Sequence, residues 1–336
     1  MVIAGKMRNT KMKNWMLAVF CVVASSNQLM AQEDSLMMSL LDGPAEAPVE
    51  KVHSAFKTTK VINLQSTELT DAGVFDFKMS HRFGPVNSGR DNAYGLDFAT
   101  IRFGGELGVL PNLMIGVGRS NIKSEKLVDG YVKWRVMHQT SDNKKPVSIL
   151  LLGGVDFRNT RYSVNFKNQK GIDSLGFLFV PKSVRTAYVA QCIIGKKVNS
   201  NFSYEIVPGW VKQSTITASK ATGFGDYQNA VKSTSQVYLG MGFRQKLSSR
   251  TSLNVEYIPI LMNKGNSVNS FSLGLDLETG GHVFQFQFTN SLGLNESMFI
   301  ARTTDKWNQA GVRFGFNLHR VFTVIDPEFY RKPTMN

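Results

Sequence analysis

Twelve charged residues sit where a sequence could do chemistry: Asp76, Lys78, Arg82, Arg102, Glu106, Lys133, Arg135, Glu205, Arg244, Glu256, Asp276 and Arg313. Each falls on the polar step of a run that alternates polar and apolar residues. Asp76 and Lys78 interleave with Phe75, Phe77 and Met79; Lys133 and Arg135 interleave with Val132, Trp134 and Val136. Period-two alternation sends neighbouring side chains to opposite faces of a strand, so the charges collect on one face and the apolar residues on the other. Lining a wet lumen, charges of both signs would choose a solute. In a dry lumen they would have to pair, and a salt-bridge network would plug it. The sequence leaves both outcomes open.

Other chemistry finds less support. Ser80 and His81 are neighbours, but adjacent strand residues point apart and cannot act as a nucleophile and its base. His53, His138, His282 and His319 have no close His partner in the sequence and read as solvated residues near turns. No phosphate-binding glycine loop, dinucleotide fingerprint or paired-cysteine motif is present. The expectation is a non-enzymatic protein with no catalytic residue, no metal and no cofactor.

The elements that must position these charges are strands. The stretch 267–291 gives the clearest case. Phe271, Leu273, Leu275 and Leu277 alternate with polar residues, Gly280-Gly281 makes a tight turn, and Phe284, Phe286 and Phe288 alternate again. The same pattern recurs from Val74 to Leu318 in about twelve segments, most near the ~9–11 residues of a tilted membrane strand. Short connections (109–112, 196–201, 246–251) alternate with long ones (84–96, 120–129, 158–182, 211–235, 290–311). That rhythm predicts an all-β antiparallel transmembrane β-barrel of about 12 strands, with short periplasmic turns and long extracellular loops. The apolar parity would face lipid. Trp134, Tyr204, Tyr257 and Phe288 are candidates for interfacial girdles, and glycines on the polar parity, such as Gly240, Gly242 and Gly274, would leave room for bulky lumen neighbours.

The chain of 336 residues carries a formal net charge of +14. Residues 1–31 combine Lys6, Arg8, Lys11 and Lys13 with an apolar run at 15–24, too short to span a bilayer, and read as a secretory signal peptide. Export argues against nucleic acid as a partner for this basic chain. Beyond that segment Cys192 stands alone, so no intramolecular disulfide is expected. Residues 32–73 form an N-terminal periplasmic lead-in or a plug, with one short helix predicted near 34–42. Residues 74–322 form the barrel and 323–336 a C-terminal periplasmic tail. Basic residues in 158–182 and 211–235 would meet the phosphates of outer-membrane lipid.

Several stretches carry a resemblance: Phe56-Lys57-Thr58-Thr59-Lys60-Val61-Ile62-Asn63, His81-Arg82-Phe83-Gly84, Met114-Ile115-Gly116-Val117-Gly118-Arg119-Ser120 and Glu278-Thr279-Gly280-Gly281-His282. They resemble a family of outer-membrane β-barrels of unknown function, common in Bacteroidota. The resemblance implies the barrel and the cell outer membrane; it brings no reaction and no assigned residue. The expected role is porin-like, passive or weakly selective transport of a small or hydrophobic solute. The alternatives are a closed structural barrel that docks an envelope protein partner and, third, a barrel hydrolase. Oligomeric state is not legible.

Overall fold

A computed structural model describes residues 50–122, 125–159, 162–163, 177–178, 181–216 and 231–325. The expected signal segment, the helix expected near 34–42 and most of the expected C-terminal tail lie outside these residues. The described chain forms a closed antiparallel barrel of twelve strands: β1 (Val74–Pro85), β2 (Ala99–Leu110), β3 (Leu113–Ile122), β4 (Glu125–Met137), β5 (Ser148–Arg158), β6 (Thr186–Lys197), β7 (Phe202–Ile216), β8 (Val231–Lys246), β9 (Thr251–Ile258, continued as Ile260–Met262), β10 (Ser270–Thr279), β11 (His282–Thr289) and β12 (Arg313–Thr323). Each strand pairs with its neighbours in sequence, and β1 closes the ring on β12, with Phe77 opposite Arg320 and Ser80 opposite Asn317. Pro259, which has no amide hydrogen to give a ladder, interrupts β9. Closure removes the free edges an open sheet of this length would expose.

The alternation read from the sequence sets the two faces. Phe103, Val117, Val132, Trp134, Leu151, Phe286 and Phe288 are exposed on the outside. On β1, β11 and β12 the outward aromatics stack across strands: Phe83 on Phe314 at 5.8 Å and Phe286 on Phe314 at 6.4 Å between centroids. Gly280 and Gly281 both have positive φ, +46° and +99°, the backbone that a two-residue hairpin turn between β10 and β11 demands.

Strand ends divide the barrel into a turn end and a loop end. The turn end carries 111–112, 138–147, 198–201, 247–250 and 280–281, together with the start of β1 and the end of β12. The loop end carries 86–98, 159–185, 217–230, 263–269 and 290–312. One expected long connection is wrong: β3 runs to Ile122 and β4 starts at Glu125, so 120–129 is mostly strand. Here the inner face is apolar. Ile122 and Leu127 pack inward against Met298, while Asn121 and Lys126 are exposed outside. These strand tips have the faces reversed relative to the apolar belt, which hid them.

Candidate functional site: the barrel interior

The interior is filled from both ends. From the turn end, residues 55–70 enter the barrel and double back as a hairpin. Lys60 pairs with Gln65, Val61 N donates to Leu64 O at 2.8 Å and Ser66 N donates to Thr59 O at 2.9 Å. Residues 61–67 are all buried, and Leu64, Gln65 and Ser66 are fully so. Residues 55–70 lie inside the wall, and the chain returns to the turn end to begin β1. The segment has no alternation and no turn glycine; its own Thr58 and Ser66 hydroxyls bond Lys60 O and Thr58 O, and the wall satisfies much of the rest of its backbone.

The wall charges do that work. Glu256 accepts from Asn63 N and Leu64 N, both at 2.8 Å, and from Asn63 Nδ2 at 3.0 Å. Arg82 Nη2 donates to Asn63 Oδ1 at 3.0 Å. Lys133 Nζ donates to Glu68 O at 2.7 Å and Thr59 O at 3.2 Å. Arg135 donates to Thr67 O at 2.9 Å, and Arg244 to Ala55 O at 3.0 Å. Among the described residues none of these four cations has a carboxylate within 4.0 Å. Three lumen glycines make room for the hairpin tip. A Cβ on Gly240 would meet Leu64 Cδ1 at 2.7 Å, one on Gly242 would meet Val61 Cγ2 at 2.9 Å, and one on Gly274 would meet Ile62 Cγ1 at 3.0 Å.

Most of the remaining charges find partners on the wall or in the last loop. Lys78 lies 2.6 Å from Glu106 and 3.5 Å from Asp76, and Glu106 also accepts from Thr59 Oγ1 at 2.5 Å and from the Tyr131 hydroxyl. Arg102 grips Asp129 through two nitrogens, Nε to Oδ1 at 2.9 Å and Nη2 to Oδ2. Asp276 accepts from Gln285 Nε2 at 2.8 Å and Ser252 Oγ at 3.1 Å. Arg313 pairs with Asp305 of the last loop. Glu205 is fully buried, its Cγ 3.0 Å from where a Cβ on Gly242 would stand. Of the twelve residues singled out in the sequence, eleven are buried inside the barrel and Arg135 is half-buried.

From the loop end, residues 290–303 fold inward around α1 (Glu296–Ala301), every residue of which is buried. Ser297 N donates to Asp156 Oδ2 at 3.1 Å, and Arg302 forks onto Glu125 at 2.9 and 3.1 Å. The two inserted segments meet: Gln65 Nε2 donates to Glu296 Oε1 at 2.9 Å, with Lys60 Nζ 3.9 Å away.

Sequence reasoning missed an apolar component of the interior. Met114, Tyr131, Leu152, Val189, Val211, Tyr238 and Ile258, one from each of the seven consecutive strands β3 to β9, cluster inside the wall with Leu64 of the hairpin and Phe299 and Ile300 of α1. A signal was present, since Met114, Tyr131 and Tyr238 lie on the polar parity. The histidines also differ from expectation. His319 faces inward and is buried, its Nδ1 3.4 Å from Asp76 Oδ2, because its parity on β12 is that of Asn317 and Arg313. His53 and His138 touch at the turn end with ring centroids 5.3 Å apart. His81 stacks on Phe316 at 5.2 Å on the outside, turned away from Ser80.

A family model described as a membrane bound beta barrel domain (DUF5777) matches residues 56–322, which takes in the inserted hairpin as well as the strands. The chain belongs to this family. A search of curated proteins finds no match. Among solved structures, this DUF5777 barrel is similar to a KdgM porin in complex with disordered oligogalacturonate, at 8% identity and a TM-score of 0.43, covering 74% of this chain and 99% of that one. It is also similar to a NanC porin, at 6% identity and 0.43, covering 75% and 100%. A third is the Acinetobacter baumannii outer membrane protein Omp33, at 7% identity and 0.38, covering 74% and 97%.

Proposed function

We propose that the protein is an outer-membrane barrel for passive or weakly selective transport of a small or hydrophobic solute, and that the described state is its closed one. One observation carries this reading. Arg82, Lys133, Arg135, Arg244 and Glu256 all hydrogen-bond a segment of inserted chain, and no two of them form a direct ion pair. A permanently sealed wall would pair such charges internally, since an unmatched buried charge is costly. Charges matched by a removable segment leave, on its departure, a wall that water and solute can satisfy. Alongside most of them on the same strands, the apolar stripe from β3 to β9 would favour a solute with an apolar part. The turn end faces the periplasm in this reading, and the long loops face outside.

A second reading has its own support: α1 fills the loop end as the hairpin fills the turn end, which suits a closed structural barrel that binds an envelope partner. Single-channel recording of the refolded chain in a planar bilayer separates the two, with heat-modifiable gel mobility as the check on folding. Discrete conductance steps are expected for the transport barrel. A folded barrel silent across the voltage range overturns transport in favour of the structural reading.

A further inference from the structure

The turn end holds a cleft that the interior contacts leave open. It encloses about 350 Å³ and is lined by Lys57, Lys197, Arg244, Lys246, Ser54 and Phe56, with Glu278 at its side. Lys57 pairs with Glu278, so the one carboxylate in the lining is already matched. Lys197 Nζ donates to His53 O at 2.8 Å, and Arg244 Nη1 donates to Ser54 O at 3.2 Å and Ala55 O at 3.0 Å. These acceptors are neutral carbonyls, and neither side chain has a carboxylate within 4.0 Å among the described residues. Lys246 Nζ has no hydrogen-bond or ion-pair partner among the described residues, and Arg244, only 5% exposed, leaves its Nε buried and unpaired. Lys197 and Arg244 both stand opposite Ser203 of the strand between them, which sets their backbones two strand spacings apart, about 10 Å. Long side chains reaching inward across that gap can converge on one small group.

We propose that this cleft binds a phosphate group, free or carried on a small head group, through Lys197, Arg244 and Lys246. Three cations that make no ion pair, in a partly enclosed cleft, focus a positive potential onto one spot. The unused guanidinium nitrogen and the ammonium groups supply charge-assisted donors to tetrahedral oxygens. Ser54, Phe56 and Lys57 come from the base of the inserted hairpin, while Lys197 and Lys246 end β6 and β8, so an occupied cleft ties the hairpin base to the wall. The site goes beyond the transport reading and does not require the hairpin to move.

The test is isothermal titration of the full chain, in an uncharged detergent, with inorganic phosphate and separately with glycerol 3-phosphate. Saturable binding that weakens with added salt is expected. Lys246→Gln, which removes a side chain with no protein partner to lose, is expected to weaken it by about tenfold or more, one charge-assisted contact's worth. Lys145→Gln, on the exposed turn between β4 and β5, should leave it unchanged. Binding of inorganic phosphate identifies a free anion as ligand, whereas binding of glycerol 3-phosphate alone identifies a head group. Absence of saturable binding to both overturns the proposal. So does unaltered affinity in Lys246→Gln, or an equal loss in Lys145→Gln.

Discussion

Glu256 is the latch of the inserted hairpin, and replacing it tests the closure directly. Its carboxylate accepts three hydrogen bonds from the hairpin tip, two of them from the backbone N–H groups of Asn63 and Leu64. Hydrogen bonds to a charged group contribute about 1.5–3 kcal/mol each and do not simply add. Glu256→Ala should therefore weaken hairpin docking by about 4 kcal/mol, nearly three orders of magnitude in the undocked population. Glu256→Gln keeps an acceptor for the two backbone donors. It loses the charge and turns an amide nitrogen towards Asn63 Nδ2, so about 2 kcal/mol, roughly thirtyfold, is expected. The readout is the rate at which a water-soluble maleimide labels Ser66→Cys, a buried hairpin position, in a chain whose Cys21 and Cys192 are replaced by serine. When reclosing is fast, labelling follows the open population. Equal labelling rates with Glu256 intact, in Glu256→Gln and in Glu256→Ala, all with the gel mobility of a folded barrel, would refute the latch.

Three further outcomes follow from the same contacts. Arg102→Ala strands the buried Asp129 carboxylate and should lower barrel stability by about 3–5 kcal/mol, read as a shift of the urea midpoint in detergent. Gly240→Leu puts a side chain where Leu64 packs, so labelling of the hairpin should rise while the barrel stays folded; unchanged labelling would mean that Leu64 does not seat there. Burial pushes the His138 imidazole down from its ordinary value, against the Gln139 carbonyl bond that raises it and with Arg135, His53 and Lys51 adding to the depression. Because the folded state holds the proton less tightly, stability from the neutral ring is present above about pH 6.5 and lost as the pH falls below it. Proteolysis near residues 50–54 should thus quicken at acidic pH in the native chain and less so in His138→Gln.

The alternation made the barrel wall legible because a period-two pattern reports directly which face a residue takes. Asp76, Lys78, Arg102 and Glu106 are inside for that reason alone. The stretch that forms β6 shows no clear polar and apolar phase in its sequence. Its inner residues Val189 and Ile193 pack in the barrel's interior while Tyr188 faces out, so both faces are apolar. The inserted segments left no local signature. The hairpin at 55–70 takes its shape from Glu256, Lys133 and Arg82, residues far away in sequence. The six-residue α1 lacks a side-chain cap and is held instead by Asp156 and by Phe299 in the apolar cluster. Structure fixed by distant partners cannot be read from local periodicity or capping.

If hairpin insertion closes a transport route, locking the hairpin in place must silence the barrel. A Cβ on Gly274 would lie 3.0 Å from Ile62 Cγ1, which places the two β-carbons within about 4.5 Å, a span that a disulfide bridges. The measurement is therefore bilayer conductance of the Ile62→Cys/Gly274→Cys chain, with Cys21 and Cys192 replaced by serine, before and after reduction. The oxidised barrel should be silent, and reduction in place should restore discrete openings. Identical records in the two states, whether both conduct or both are silent, would contradict the account.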